Sequence, residues 1–213
     1  MDLREIFVAV AVGTLLATVG VAQTAGAGDN TGGARLYETC AQCHGEKAQG
    51  SHLAFAPSIA GLKDWYVLRQ LQNFRSGVRG LHPDDTNGLR MYPLSRVLKS
   101  DEEVAAVAAY VASLRPVRAT ATAEGGDAVK GAKYYETCAA CHGKKGDGNE
   151  QMNAPRLVNT SDWYLVSSLQ NFRAGVRGWS SNNSNARMMR AMSAQLPDEQ
   201  AIKDVVAYIL TLQ

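Results

Sequence analysis

Two short stretches hold the residues best suited to chemistry, and both have the same pattern of cysteine and histidine. One is CAQCH at residues 40–44 and the other is CAACH at residues 138–142. Two thiols three residues apart can add to the two vinyl groups of one porphyrin, and C-x-x-C-H is the attachment signature of a c-type haem. The histidine that follows is held under the ring, where its imidazole can ligate the iron. The sequence therefore predicts two covalently bound haem c groups.

Two other kinds of site also use C-x-x-C pairs. A four-cysteine zinc site does not require a histidine after each pair, and the 98-residue offset between the motifs is far longer than zinc-ribbon spacing. A thioredoxin-like redox pair needs a strand-helix-strand pattern around it, and the sequence shows none. In the haem interpretation all four cysteines form thioethers, and none is left for a disulfide: Cys40, Cys43, Cys138 and Cys141.

The two motifs belong to an internal repeat. Residues 33–114 align with residues 131–212 without a gap, and 34 of the 82 aligned positions are identical. Such similarity indicates two copies of one domain. Each copy is small for an independent core, but a haem supplies a large apolar centre for helices to pack around. The predicted organisation is an export segment at 1–27, domain 1 at 28–114, an exposed linker at 115–127 and domain 2 at 128–213.

Each copy has three stretches of helical periodicity and no convincing alternating strand, so we predict an all-α fold. The first helix runs from Gly33 or Gly131 into the haem motif. The second begins at Asp64 or Asp162, where the aspartate is the predicted N-cap.

The third predicted helix closes each copy. In domain 1 it opens with the capping-box pattern of residues 100–103 (SDEE), and in domain 2 it opens at Asp198. The segments before it, residues 80–90 and 178–188, are rich in Gly, Asn, Asp and Ser and are predicted to be loops.

A methionine in each copy is the candidate for the second axial iron ligand. Met91 aligns with Met189, and both are expected in a loop before the last helix. A thioether suits ferrous iron and raises the reduction potential relative to two histidines. A methionine could instead merely pack against a haem, but here both copies place one at the same register. We therefore predict the axial pairs His44/Met91 and His142/Met189.

Other possible ligands match the repeat less well. Met188 and Met192 align with Arg90 and Leu94 and are weaker candidates. His52 and His82 are not candidate ligands, because each occurs in only one copy of the repeat and such histidines are more often surface residues.

The pattern N-F-R-x-G-V-R-G occurs in both copies, at residues 73–80 and 171–178. Its arginines are either ordinary solvated charges or bidentate partners of haem propionates, and we favour the second. A tryptophan in each copy has an indole N–H that could also reach a propionate, although core packing explains it equally well. The candidates for the haem environment are Arg75, Arg79, Arg173, Arg177, Trp65 and Trp163.

The chain after the export segment resembles a di-haem cytochrome c of the cytochrome c4 type, with two class I cytochrome c domains in tandem. C-x-x-C-H-G, a later proline, the methionine and a last helix with A-Y occur in both halves. In that family the proline carbonyl lies near the second nitrogen of the haem histidine, and Pro57 and Pro155 match this proline. Such an acceptor fixes the imidazole and strengthens it as a ligand.

The resemblance also implies how the helices and domains pack. The family crosses its first and last helices through a glycine against an aromatic residue, as Gly33 with Tyr110 and Gly131 with Tyr208 would do here. It further implies a pseudo-twofold arrangement of the domains with the haem propionates facing each other.

The first 27 residues read as an export signal, because residues 6–21 are apolar or small and uncharged. An uncleaved membrane anchor is the alternative, although the run is short for a membrane-spanning helix.

Without residues 1–27 the chain has 21 basic and 18 acidic residues, which is a net charge of +3. The four propionates of two haems bring this close to neutral, which excludes a nucleic-acid-binding or polybasic membrane-binding profile. We expect a periplasmic location, because bacteria attach haem covalently outside the cytoplasmic membrane.

The predicted function is electron transfer without catalysis, since two six-coordinate haems have no vacant position for a substrate. The resemblance implies a carrier between a respiratory donor, such as a quinol-oxidising complex or a dehydrogenase, and an acceptor such as a haem–copper terminal oxidase. One alternative is the electron-accepting subunit of a dehydrogenase complex, like that of a flavocytochrome sulfide dehydrogenase. Another is a di-haem enzyme with one open iron, but the presence of both Met91 and Met189 argues against it.

Overall fold

The computed structural model describes residues 31–118 and 120–213, and within them the chain forms eight helices. The export segment predicted at residues 1–27 lies outside the described residues. The helices are α1 Thr31–His44, α2 Asp64–Arg75, α3 Thr86–Ser95, α4 Asp101–Ser113, α5 Ala128–His142, α6 Asp162–Arg173, α7 Ser184–Ser193 and α8 Glu199–Thr211. Apart from two isolated β-bridges, the described residues form no strand. The all-α prediction is therefore confirmed. None of these eight helices is long and apolar enough to cross a lipid bilayer.

Each domain has four helices rather than the predicted three, because α3 and α7 occupy segments that were expected to be loops. The loop prediction for residues 80–90 and 178–188 is wrong over their C-terminal parts. The Asp85 side chain accepts a hydrogen bond from the Gly88 N–H at 3.0 Å, and Asn183 does the same for Ala186 at 3.0 Å. These polar residues, typical of loops, act here as N-caps that start a helix. The prediction that Met91 and Met189 lie in loops is therefore also wrong, because they lie inside α3 and α7.

The predicted N-caps of the last helix of each domain are confirmed, but the capping box of domain 1 is not complete, because Glu103 accepts from the Lys99 N–H rather than from that of Ser100. The Ser100 hydroxyl accepts from the Glu103 N–H at 3.2 Å, and Asp198 accepts from the Ala201 N–H at 2.8 Å. The cap prediction for α2 and α6 is wrong, because their aspartates are the first helical residues rather than the caps.

The first and last helices of each domain cross at a glycine. A Cβ on Gly33 would collide with the carbonyl oxygen of Ala106, and one on Gly131 would collide with that of Asp204. Next to each crossing, the rings of Tyr37 and Tyr110 in domain 1, and of Tyr135 and Tyr208 in domain 2, have centroids 5.3 Å apart. The crossing implied by the family resemblance is thus present in both domains.

Buried aliphatic side chains of the last helix form most of the core next to this crossing. In domain 1 they are Val104, Val107 and Val111, and in domain 2 they are Ile202, Val205, Val206 and Ile209. They pack on the face of the first helix that carries the buried tyrosine. This packing fixes the end of α1 and of α5, which is where each haem motif lies.

The two domains are joined by direct hydrogen bonds as well as by the linker. The Arg156 guanidinium of domain 2 donates to the carbonyl oxygens of Gly61 and Ala60 at 2.9 and 3.0 Å. The Ser58 N–H donates to the Ser161 hydroxyl at 3.0 Å. These bonds join the loops that follow the haem motifs, so they bring the two haem regions to one interface.

Candidate haem sites

Each C-x-x-C-H motif forms the last turn of a helix. Residues three and four apart on a helix lie on one face, so Cys40, Cys43 and His44 are presented to the same side at the end of α1. In domain 2 the matching residues end α5. The next residue in each case is a glycine with positive φ, 81° in domain 1 and 79° in domain 2, which ends the helix and turns the chain back.

The motif histidines are buried and oriented by a backbone carbonyl. His44 and His142 are 7% and 5% exposed. Nδ1 of His44 lies 2.8 Å from the carbonyl oxygen of Pro57, and Nδ1 of His142 lies 2.7 Å from that of Pro155. A carbonyl oxygen can only accept, so Nδ1 carries the proton and donates it. This leaves Nε2 as the free lone pair, which is the arrangement that an imidazole ligand of a metal requires.

Burial also keeps these imidazoles neutral. It lowers the pKa of His44 and of His142, and the opposing effect of the proline carbonyls is smaller. A neutral imidazole is the form that ligates iron. Pro57 and Pro155 lie where the family resemblance implied them, because their carbonyl oxygens accept from Nδ1 of the two histidines.

One continuous cavity of about 470 Å³ reaches the motifs of both domains. Its walls include matching apolar side chains from the two copies: Leu71, Phe74 and Leu98 in domain 1, and Leu169, Phe172 and Leu196 in domain 2. Met91 and Met189 both line it, as do His44 and His142. Thiols, a neutral imidazole and a thioether around an apolar cavity form the donor set of a c-type haem, so the residues present fit two such groups.

The other methionines of domain 2 are placed differently. Met188 is 63% exposed. The Met192 sulfur accepts from the Gln195 side chain at 3.7 Å, and Met192 is not among the residues that line the cavity. Both placements agree with Met189 as the stronger candidate.

The zinc alternative has no support in the geometry. Within the described part of the chain, no three His, Cys, Asp or Glu side chains come together as a metal site. All four cysteines are described and none of them forms a disulfide.

The structure separates the four candidate arginines into two pairs. Arg75 and Arg173 do not line the cavity. Arg75 donates to Asp101 at 2.8 Å and Arg173 donates to Glu199 at 3.2 Å, so each bonds its helix to the first turn of α4 or α8. They lie at the end of α2 and α6, where the helix faces its neighbour rather than the cavity.

Arg79 and Arg177 do line the cavity. Each guanidinium lies over a phenylalanine ring of its own domain, at 4.4 Å from the Phe74 centroid and 4.2 Å from the Phe172 centroid. Arg79 also reaches across the interface, where it donates to the Tyr164 hydroxyl at 3.0 Å.

The two candidate tryptophans do not line the cavity either. Trp163 stacks on His52 of domain 1, with ring centroids 5.5 Å apart, and meets Phe55 edge-on at 6.3 Å. Trp65 lies under the Arg69 guanidinium at 4.8 Å, and its buried indole N–H has no protein partner. Trp163 therefore packs at the domain interface rather than beside a haem cavity.

Tyr66 and Tyr164 line the cavity, although the sequence pattern did not predict them as site residues. The repeat contained the signal, because D-W-Y occurs at residues 64–66 and again at 162–164. The identity of the tyrosines in both copies does not by itself separate a cavity role from core packing.

The paired helical domains and the two C-x-x-C-H donor sets define a di-haem c-type cytochrome. A family model described as cytochrome c matches residues 31–115 and again residues 128–213. Cytochrome c4 of Azotobacter vinelandii is 30% identical over 204 residues, which cover 91% of this chain and 93% of the relative. The thiosulfate dehydrogenase electron acceptor of Stutzerimonas stutzeri is 34% identical and covers 80% of this chain and 78% of that protein.

A solved structure agrees with these relatives. The crystal structure of reduced recombinant cytochrome c4 from Pseudomonas stutzeri matches with a TM-score of 0.67 and 26% identity, and the match covers 88% of this chain and all of that one. The chain belongs to the cytochrome c family, as a di-haem protein of the cytochrome c4 type. It binds two haem c groups, at Cys40, Cys43 and His44 and at Cys138, Cys141 and His142, and it is an electron-transfer protein with redox proteins as its partners. The predictions of fold and cofactor are thereby confirmed.

Proposed function

We propose that this protein is a periplasmic carrier with two His/Met haems, which passes single electrons between a respiratory donor and an acceptor such as a terminal oxidase. The observation that carries the proposal is that one buried histidine and one methionine of each domain line the same cavity. With both axial positions filled, neither iron can bind a substrate. A haem held in this way would supply one-electron transfer in each domain.

The proposed second ligands are Met91 and Met189. Both lie in the middle of a short capped helix, at positions related by the repeat. An uncharged thioether stabilises ferrous iron and raises the reduction potential. We expect the two centres to be of the same type, since the histidine, the methionine and the proline that accepts from the histidine occur at matching positions of the repeat.

The propionates of the two haems are proposed to contact Arg79 and Arg177. Both guanidiniums line the cavity at the domain interface, and the Arg79 Nε–H is buried without a protein partner. A buried cationic group of this kind needs an acceptor. A propionate would supply both the acceptor and the opposite charge.

The cavity shared by the two domains supports transfer between the two haems within one molecule. It has walls from both domains, and interdomain hydrogen bonds such as that of Arg156 with Gly61 lie beside it. An electron received at one haem would then leave from the other without dissociation of the partner.

The test of this proposal is the ferric absorption spectrum of the full-length holoprotein, with a haem count per chain. The weak far-red band reports methionine bound to ferric iron. We expect Met91→Ala and Met189→Ala each to remove half of this band, while the control Met188→Ala, at an exposed neighbour on the same helix, leaves it intact. A wild-type band that accounts for one haem would refute the proposal of two His/Met centres.

A second candidate function is that of electron acceptor in a dehydrogenase system. The relative in Stutzerimonas stutzeri is described as a thiosulfate dehydrogenase electron acceptor, and it is 34% identical to this chain. Comparing the rates at which a purified dehydrogenase and a quinol-oxidising complex reduce the protein distinguishes the two roles. Faster reduction by the dehydrogenase at equal concentrations would favour this second role.

A further inference from the structure

An arginine and a tyrosine meet across the domain interface, and the repeat supplies a second such pair. Arg79 of domain 1 donates through Nη2 to the Tyr164 hydroxyl of domain 2 at 3.0 Å. The residues at the matching positions are Arg177 and Tyr66, which both line the same cavity, and the charge of Arg177 acts to lower the pKa of Tyr66 against the effect of burial. Tyr164 is therefore hydrogen-bonded to the arginine of the opposite domain, and Tyr66 lies within the electrostatic influence of its own counterpart, Arg177.

Each arginine is also held by its own domain. Arg79 lies over the Phe74 ring at 4.4 Å and donates through Nη1 to the Gln70 side chain at 2.7 Å. Arg177 lies over the Phe172 ring at 4.2 Å. The phenylalanine fixes one face of the guanidinium, but the Arg79 Nη2 is fixed by a residue of the other domain. The position of this cation therefore depends on both domains.

The four side chains form one electrostatic cluster. Burial would raise the pKa of Tyr164, but the charges of Arg79 and Arg177, with the hydrogen bond from Arg79, lower it. Burial is the largest influence on Tyr66, and together with the nearby Tyr164 it raises the pKa of this hydroxyl. The charges of Arg177 and Arg79 oppose this change. Each guanidinium thus acts on both hydroxyl groups, and all four residues line the cavity that holds the haem motifs.

We propose that each tyrosine is a positioning residue for the haem of the other domain: Tyr164 holds Arg79 beside the haem of domain 1, and Tyr66 holds Arg177 beside the haem of domain 2. This inference rests on the proposed function, because it requires that the two arginines lie at the haem propionates. Ferrous haem carries one positive charge less than ferric haem, so a fixed cation nearby favours the ferrous state and raises the reduction potential. The crossed contacts make each potential depend on the other domain.

The test uses Tyr164→Phe and Tyr66→Phe in the full-length holoprotein, because this change removes the hydroxyl and keeps the ring. A redox titration followed by NMR of the haem methyl resonances measures the two potentials separately. The resonances are assigned through their contacts with residues next to each C-x-x-C-H motif. We expect Tyr164→Phe to lower the potential of the domain 1 haem more than that of the domain 2 haem, and Tyr66→Phe to do the reverse.

The matched control is Tyr92→Phe. The Tyr92 hydroxyl of α3 accepts from Arg96, the residue that follows this helix, at 2.5 Å, and this pair does not line the cavity. The control removes an arginine–tyrosine hydrogen bond from domain 1 and should leave both potentials unchanged. Larger shifts at the haem of the substituted tyrosine's own domain would overturn the inference.

A double variant tests whether the tyrosine acts through the arginine. If it does, Arg79→Gln together with Tyr164→Phe lowers the potential of the domain 1 haem no further than Arg79→Gln alone. Additive shifts would mean that Tyr164 acts on a haem directly and would overturn the positioning role. If Arg79→Gln shifts this potential and Tyr164→Phe does not, the inference fails while the propionate contact stands. If neither shifts it, the proposed propionate contact fails as well.

Discussion

Asp162 holds the linker against domain 2 through Thr122, whose side-chain hydroxyl donates to the Asp162 carboxylate at 2.6 Å. The backbone N–H groups of Thr122 and Ala123 also donate to this carboxylate, the latter at 2.7 Å. Asp162 is fully buried, whereas Asp64 at the matching position of domain 1 is exposed. The described linker residues are mostly exposed, as predicted, but this one carboxylate fixes the chain before it enters α5.

We predict that Asp162→Asn destabilises the protein by about 1–3 kcal/mol, because an amide carries no charge and one of its two polar atoms cannot accept. Chemical denaturation of the holoprotein measures the loss. The control is Asp64→Asn, which makes the same change at the exposed position and should alter the free energy of unfolding by less than about 0.5 kcal/mol. Equal effects of the two substitutions would show that the linker contact adds no stability.

The contribution of Asp162 should depend on pH. Burial would raise the pKa of this carboxyl, but the hydrogen bonds from Ala123, Thr122 and Trp163 together lower it. A carboxyl whose pKa is lower in the folded state stabilises the fold above its unfolded pKa, which is about 3.9, and loses this contribution as the pH falls through the folded pKa.

The stability difference between wild type and Asp162→Asn should therefore be constant from about pH 5 to 7 and shrink below about pH 4. Urea midpoints measured across this range test the prediction. The difference between the two proteins removes the effects of acid on groups that both contain. A difference that grows as the pH falls would contradict the sign.

The glycines at the helix crossings should tolerate no side chain. Gly131→Ala and Gly33→Ala would place a methyl group against a backbone carbonyl of α8 or α4. Backbone cannot move aside as a side chain can, so we expect each substitution to cost about 1–3 kcal/mol. Thermal unfolding measures the loss. Gly32→Ala is the control, because a Cβ there meets nothing within 4 Å.

The neighbouring control should leave stability unchanged or raise it by up to about 1 kcal/mol, because alanine is the better helix former. If Gly33→Ala behaved like Gly32→Ala, the close approach of α1 and α4 would not hold in solution.

The residues themselves were sufficient to predict the haem motifs, and the family resemblance that they carry implied the crossing of the first and last helices. Covalent attachment needs two thiols and an imidazole at fixed spacing, so chemistry alone identifies the residues. The repeat then gave Met91 and Met189 a common register, even though α3 and α7 were not predicted. Those two helices were missed because local composition favours turns there, while the caps at Asp85 and Asn183 and packing against the second helix of each domain favour helix.

The two arginines of the repeated N-F-R-x-G-V-R-G pattern show what the sequence could not supply. Arg75 ends α2 and faces α4, while Arg79 follows a left-handed turn at Gly77, whose φ is 74°. This turn reverses the chain, and a helical periodicity gives no information on where side chains point beyond it. The contact of Arg79 with Tyr164 depends on how two domains dock, which no local pattern encodes.

The separation of the two arginine pairs gives the last prediction. Arg75 and Arg173 form ion pairs whose carboxylate partners, Asp101 and Glu199, are exposed. Exposed pairs of this kind contribute about 0–1 kcal/mol, so Arg75→Gln and Arg173→Gln should change the free energy of unfolding by no more than that.

Because neither side chain reaches the cavity, both substitutions should also leave the haem spectra and the two reduction potentials unchanged. Spectroelectrochemical titration of the holoproteins tests this, with Arg79→Gln as the positive control at the cavity. The comparison separates the effect of contact with the cavity from the effect of charge, because all three arginines come from the same repeated pattern and carry the same charge. A fall in the domain 1 potential in Arg75→Gln as large as that in Arg79→Gln would mean that charge alone, and not contact with the cavity, sets the potential.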